Sequence, residues 1–177
     1  HLLEALASEH PRRGRAGGAR LAIHDDVLFP ELLEGIAGGE HVCGVHASGA
    51  ADMSGSEGFR LAQIDPNGDC TDGITRTVST LTYSAGDNVK GLVDWPSNKY
   101  FNIWVVANIA SGAAGYAYYP GIASNIDGVV MLHDYTGGIG TSNGSNYSAR
   151  SLTHECGHWL NLAHTWGSTN SPGVAAN

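Results

Sequence analysis

The residues with the clearest potential for chemistry are three histidines and a glutamate within residues 154–164. Read as a helix, this segment places His154 and His158 four residues apart, one turn above the other on the same face. Two imidazoles arranged in this way can share a metal ion, and Zn²⁺ binds His nitrogens at ~2.0–2.1 Å. Glu155 directly follows the first His, near the metal without binding it. A carboxylate there can take a proton from water and pass it to a leaving amine.

A third histidine, His164, lies six residues after His158, too far around a continuing helix to reach the same metal. The chain must therefore turn between them, and Asn161 is the best-placed residue because Asn tolerates positive φ and can end a helix. Three neutral nitrogen ligands, one open position and a general base are the layout of a hydrolytic zinc site rather than a closed structural one. The alternative is an amphipathic helix that is simply rich in His, but the third His at this offset favours the metal site.

Composition is typical of a single globular domain. The chain has 177 residues, of which 42% are hydrophobic, and no apolar run approaches the ~18 residues that cross a bilayer. A net charge of −8 with nine Lys and Arg argues against a nucleic-acid partner. With 25 glycines and 15% charged residues, the composition favours a loop-rich extracellular fold that contains β-structure. The sequence begins at His1 without Met or a leader, so we expect a processed chain or a fragment.

Several segments predict the strands that must position the helix with His154 and His158. Residues 59–64 alternate apolar and polar side chains, as a half-buried strand does. Residues 100–109 and 127–135 are rich in β-branched and aromatic side chains and predict buried strands. Residues 115–119 predict a short strand, and Pro120 suits a sheet edge. On the helix, Leu152, Cys156 and Trp159 form an apolar stripe that can pack on the sheet.

The first 55 residues show little regular pattern. His41, Cys43 and His46 are of metal-binding types, but no further ligand lies nearby in the sequence, so we assign no site to them. We treat residues 1–55 as an uncertain N-terminal segment: a propeptide remnant, divergent sequence or a mistranslated end.

The histidine segment resembles the His-Glu-x-x-His-x-x-Gly-x-x-His signature of the metzincin metallopeptidases, with Asn161 in place of the Gly. Within that group the chain is similar to the pappalysins, in particular to secreted, cytophagalysin-like members from bacteria and fungi. The resemblance extends over roughly residues 57 to 170. It is carried by the segments 59–62, 64–68, 73–76, 99–106, 115–117, 127–130 and 152–153.

This resemblance implies an α+β fold, the upper half-domain of a metzincin: a twisted, mixed β-sheet with a zinc-binding active-site helix behind it and the lower half-domain missing. Residues 56–177 would form this truncated catalytic domain. Family members continue beyond the third His with a methionine-containing turn, which lies outside this sequence. Residues 116–119 would be the edge strand beside the cleft. There Tyr116, Ala117 and Tyr118 would bind an extended peptide through main-chain hydrogen bonds.

The resemblance also implies a function: a secreted, monomeric zinc endopeptidase that hydrolyses internal bonds of peptide or protein substrates. His154, His158 and His164 would hold the zinc, and Glu155 would act as base and then acid. Ca²⁺ would bind through segments beyond this chain. Two alternatives remain open, a zinc-binding but catalytically inactive module and a zinc hydrolase that acts on small amides.

The three cysteines, Cys43, Cys70 and Cys156, leave at least one unpaired. An extracellular setting favours a disulfide between Cys156 and Cys70. The alternative is that Cys156 is a small buried thiol.

Overall fold

The computed structural model describes residues 40–51, 57–137 and 141–164. They contain six strands: β1 (His41–Ala51), β2 (Glu57–Leu61), β3 (Ile74–Val78), β4 (Phe101–Val106), β5 (Gly115–Ala117) and β6 (Val129–Leu132). One α-helix follows, α1 (Ser151–Trp159), and short 3-10 turns connect the strands, among them Asp87–Leu92. Within these residues, no helix has the length and apolar character that crossing a bilayer requires.

The strands form one mixed sheet in the order β2-β1-β4-β6-β5. Strand β1 is long enough for β3 to pair with its first half and β2 with its second half, both antiparallel. Strands β4 and β6 run parallel, and β5 closes the sheet as an antiparallel edge strand. The mixed sheet, the single helix and the edge position of β5 confirm the predicted fold class.

Both faces of the sheet are covered, which explains why β4 is buried along its whole length. On one face, α1 packs against the sheet through Leu152, Cys156 and Trp159, the stripe that the sequence predicted. On the other face, Trp104 and Val130 pack against side chains from the connecting segments. The core on the first face fixes the helix that carries His154 and His158.

Strand β1 lies in residues for which the sequence analysis predicted no strand. Its sequence contains two glycines and several small side chains, which are weak β-formers, so its position in the sheet depends on pairing with distant strands. The boundary drawn after residue 55 therefore falls between two strands that pair with each other. The rest of the uncertain segment, residues 1–39 and 52–55, lies outside the described residues.

His46 on β1 is a core residue. It is fully buried, and its ring stacks on Trp95 with 4.0 Å between the ring centroids. Its Nδ1 lies 2.8 Å from the side-chain oxygen of Asn102, and its Nε2 lies 3.1 Å from the Thr75 hydroxyl. Both ring nitrogens are thus used within the core.

This burial predicts a pH dependence of stability. Burial lowers the pKa of His46 below its ordinary value, against a smaller opposing effect of the hydrogen bond to Asn102. The unfolded chain then binds more protons than the folded one as pH falls below about 6.5, so the free energy of unfolding should fall there. Urea unfolding of metal-free protein between pH 8 and pH 5 should show a shallower pH dependence for His46→Gln. Equal slopes for the two proteins would contradict this role.

The predicted disulfide between Cys70 and Cys156 is wrong. None of the three cysteines forms a disulfide. Cys156 is almost fully buried between α1 and the sheet, whereas Cys70 is exposed in the turn after β2, where it forms a β-bridge with Ile64. The alternative, a small buried thiol, describes Cys156.

Candidate metal centre

The end of α1 turns the chain as the sequence predicted. Asn161 has a φ of 74° and is the one non-glycine residue with positive φ among the described residues. The Leu162 N–H donates to the Gly157 carbonyl at 2.9 Å, and the Asn161 N–H donates to the His158 carbonyl at 2.8 Å. These two bonds around a left-handed residue form a Schellman motif, which ends the helix and reverses the chain. His164 is thereby brought back beside α1.

The three histidines converge on one point. The Nε2 atom of His158 lies 3.0 Å from that of His154 and 2.9 Å from that of His164. The Nε2 atoms of His154 and His164 are 3.1 Å apart. Three nitrogens held tetrahedrally around one zinc ion at ~2.0–2.1 Å would be about 3.3 Å apart. The separations are therefore close to those of a zinc site, and the three residues form a possible metal-binding group.

The turn also determines which ring nitrogen of His158 carries the proton. Its Nδ1 lies 2.9 Å from the carbonyl oxygen of Leu162, and because a carbonyl only accepts, Nδ1 must carry the proton. In the neutral ring the Nε2 lone pair then faces the other two histidines, which is the tautomer that a metal needs. Burial, and then repulsion from neighbouring histidines, lowers the pKa of His154 and of His164. Both effects favour the neutral imidazole, the form that binds a metal.

Glu155 lies between the histidines and the edge strand. Burial raises the pKa of its carboxyl, while the nearby His158 and a hydrogen bond from the Ala117 N–H act in the opposite direction. Gly115 makes room for this side chain, since a Cβ there would lie 3.1 Å from Glu155 Cγ and would collide with Met131 Sδ. The candidate base is thus held by the main chain of β5.

Of the predicted peptide-binding residues, Ala117 has its main-chain groups at this open edge, whereas those of Tyr116 face β6. The Leu132 N–H donates to the Ala114 carbonyl, so in an antiparallel pair the main-chain groups of Gly115 and Ala117 point away from β6. The side chains of Tyr116 and Tyr118 lie on the opposite face from α1, where both hydroxyls bind Asp87. The sequence predicted the strand but not the binding of these two hydroxyls to Asp87.

Two further residues support the site and were not predicted. The Trp159 indole N–H donates to Asp127 Oδ1 at 2.8 Å and ties the last residue of α1 to the residues before β6. Tyr119, half exposed, packs against His158 with ring centroids 5.7 Å apart. The aromatic run before Pro120 could have pointed to Tyr119. No local sequence pattern indicates that Asp127 pairs with Trp159.

The geometry of Asn161 predicts a sensitive position. We expect Asn161→Val to lower zinc affinity by about tenfold, because a β-branched residue in the left-handed region costs roughly 1–2 kcal/mol. The strain would be relieved by moving His164 away from the other two rings. Asn161→Gly is the matched control and should bind zinc as the parent does. Zinc titration against a chromophoric chelator measures both variants, and equal affinities for Val and Gly would refute the role of this turn.

A mixed sheet with an edge strand, beside a helix and a turn that bring three histidines together, resembles the upper part of a metzincin-type metallopeptidase. Residues 84–176 match the model of the M43 peptidase family, described as pregnancy-associated plasma protein-A. The chain belongs to this family, the pappalysins.

Solved structures agree with the family. Mature mirolysin from Tannerella forsythia, in complex with a cleaved peptide, is 36% identical with a TM-score of 0.58, over 71% of this chain and 50% of that chain. Promirolysin from the same organism matches with the same identity and TM-score, over 44% of its length. The described sheet and helix resemble the upper subdomain of mirolysin.

Two curated fungal relatives are both named extracellular metalloprotease. The protein of Colletotrichum graminicola is 36% identical over 101 residues, which is 52% of this chain and 35% of the relative. The protein of Pyricularia oryzae is 35% identical over 80 residues, 42% of this chain and 28% of the relative. The matched regions thus span about a third of these relatives and half of the mirolysin chain.

Proposed function

We propose that this chain carries the metal-binding half of a secreted, monomeric zinc endopeptidase. The observation that supports it most strongly is the triangle of three Nε2 atoms, 2.9–3.1 Å apart, beside the partly buried Glu155. His154, His158 and His164 would hold the zinc. Family membership supports peptidase chemistry in general, and the choice of zinc and of internal peptide bonds is our proposal.

The residues of the chain divide the chemistry between them. A zinc ion held by the three histidines would supply Lewis acidity toward water and the scissile carbonyl. Glu155 takes the proton of the attacking water and delivers it to the leaving amine, and its raised pKa suits a group that must both accept and release a proton. An extended peptide pairs with the open edge of β5 through the main chain of Gly115 and the carbonyl of Ala117, whose N–H is bound to Glu155. The edge strand thus aligns the scissile bond beside the base.

Secretion rests on the names of the fungal relatives, which we extend to this chain. Calcium binding through segments beyond residue 177 also stays a prediction. An open sheet edge suits extended peptides better than small amides, and a peptide-library digest would separate these substrates.

A second candidate is a module that binds zinc without cleaving peptides. It is favoured by the fact that the chain matches only about half of the mirolysin chain. In both candidates the three histidines bind zinc, and only the endopeptidase cleaves a peptide.

Incubation with casein separates them. We expect cleavage that a chelator abolishes and that stoichiometric Zn²⁺ restores, with new internal termini by mass spectrometry. Zinc binding without cleavage would favour the silent module. Failure to bind zinc would contradict both proposals.

A further inference from the structure

The face of β5 that points away from α1 carries a second polar cluster. The hydroxyl of Tyr116 donates to Asp87 Oδ1 at 3.0 Å, and the hydroxyl of Tyr118 donates to Asp87 Oδ2 at 2.7 Å. Each carboxylate oxygen therefore holds one tyrosine. Burial, then the negative charge of Asp87, raises the pKa of Tyr116, so this hydroxyl remains a protonated donor. Asp87 therefore binds the side chains of the two residues that flank Ala117.

Lys90 forms an ion pair with Asp87. Its Nζ is fully buried and lies 3.0 Å from Asp87 Oδ1, and it donates to the Ile126 carbonyl at 2.8 Å. It also lies 4.9 Å from the ring centroid of Tyr116 and 4.6 Å from that of Tyr118. A buried ammonium needs such a counter-ion and such ring faces, so Asp87, Lys90 and the two tyrosines are fixed as one unit.

Residues of the same strand that alternate with the tyrosines face the proposed active site. Ala117 packs on the helix side of the sheet, and its N–H donates to the Glu155 carboxylate. Gly115 lies next to the side-chain carbons of Glu155. The strand has only three residues, Gly115–Ala117, so a contact that fixes the neighbours of Ala117 also fixes its amide.

We propose that Asp87 is a positioning residue of the peptidase site. Through Tyr116 and Tyr118 it fixes the edge strand, with the Ala117 amide that holds Glu155 and the main chain that a peptide would pair with. This inference rests on the proposed function, because it assigns the cluster a role in that reaction. The hydroxyls of Tyr116 and Tyr118 meet Asp87 on the face of the sheet opposite α1, so the cluster acts on the proposed site through the strand.

The test removes the two hydroxyls and keeps the rings. In Tyr116→Phe/Tyr118→Phe the rings still cover Lys90, so packing is retained. We expect a fall in kcat of about five- to tenfold and a rise in KM of similar size, since a hydrogen bond of this kind contributes about that much. Zinc content should not change. Asp87→Asn should shift both constants in the same direction, whereas Asp69→Asn, which changes an exposed carboxyl in the turn after β2, should shift neither.

A readout without catalysis completes the test. Hydrogen exchange of the Ala117 amide in the metal-free double variant should be about five- to tenfold faster than in the parent, with unchanged exchange in β4. Unchanged exchange at Ala117 would overturn the positioning role whatever the activity. Faster exchange with unchanged kcat and KM would overturn its link to catalysis, and so would a fall in kcat that follows zinc loss at constant KM. A parent chain that cleaves no peptide would instead overturn the proposed function.

Discussion

Glu155→Gln is expected to lower kcat for peptide hydrolysis by at least about 10²-fold, because a positioned general base contributes roughly 10²–10⁴-fold to such reactions. The amide has nearly the shape of the carboxylate, so the helix and the three histidines should keep their places. Gln can neither take the proton of water nor return it to the leaving amine. Steady-state kinetics with a fluorogenic peptide measures the loss, and metal analysis of the same sample should show full zinc content.

The control for this prediction is Glu40→Gln, which changes an exposed carboxyl just before β1 and should leave kcat unchanged. A Glu155→Gln variant with more than half of the parent activity would exclude Glu155 as the base. Loss of zinc in this variant would mean that the carboxyl stabilises the metal, which would contradict its assignment outside the ligand set.

The second large effect is expected for His164→Ala. This variant should lose at least about 100-fold in zinc affinity, since even the loss of a partner outside the ligand shell costs 10–100-fold. His154 and His158 alone would leave two protein ligands, fewer than catalytic zinc sites use. Competition with a chromophoric chelator at fixed pH gives the affinity, because the ligands must be neutral to bind.

His133→Gln is the matched control for the ligand set. His133 lies in the 3-10 turn after β6 and is outside the group of three that could hold a metal among the described residues. Its substitution should leave the zinc affinity unchanged. Equal losses for His133→Gln and His164→Ala would require a different set of ligands.

The convergence of the three histidines was predictable because its geometry is local. Helical periodicity aligns His154 with His158, and the φ preference of Asn is sufficient to end the helix and return His164. The Schellman bonds and the positive φ of Asn161 confirm that reasoning. The strands of residues 100–109 and 127–135 were also found, although the structure ends them at Val106 and Leu132, where turns take over.

Interactions between distant parts of the chain were not predictable. Strand β1 has a sequence of small residues, and only its pairing with three other strands makes it a strand. Asp87 meets Tyr116 and Tyr118 across about 30 positions, and no local pattern connects them. The disulfide prediction failed for the same reason, since burial of Cys156 under the helix depends on the packing of the whole sheet.

Zinc K-edge X-ray absorption of the zinc-loaded protein tests the central claim most directly. If His154, His158 and His164 share one ion, the spectrum should fit three imidazole nitrogens at ~2.0–2.1 Å together with an oxygen and no sulfur. His164→Ala should remove one imidazole from that fit. A sulfur shell at ~2.3 Å, or fewer than three imidazoles in the parent protein, would contradict the proposed site.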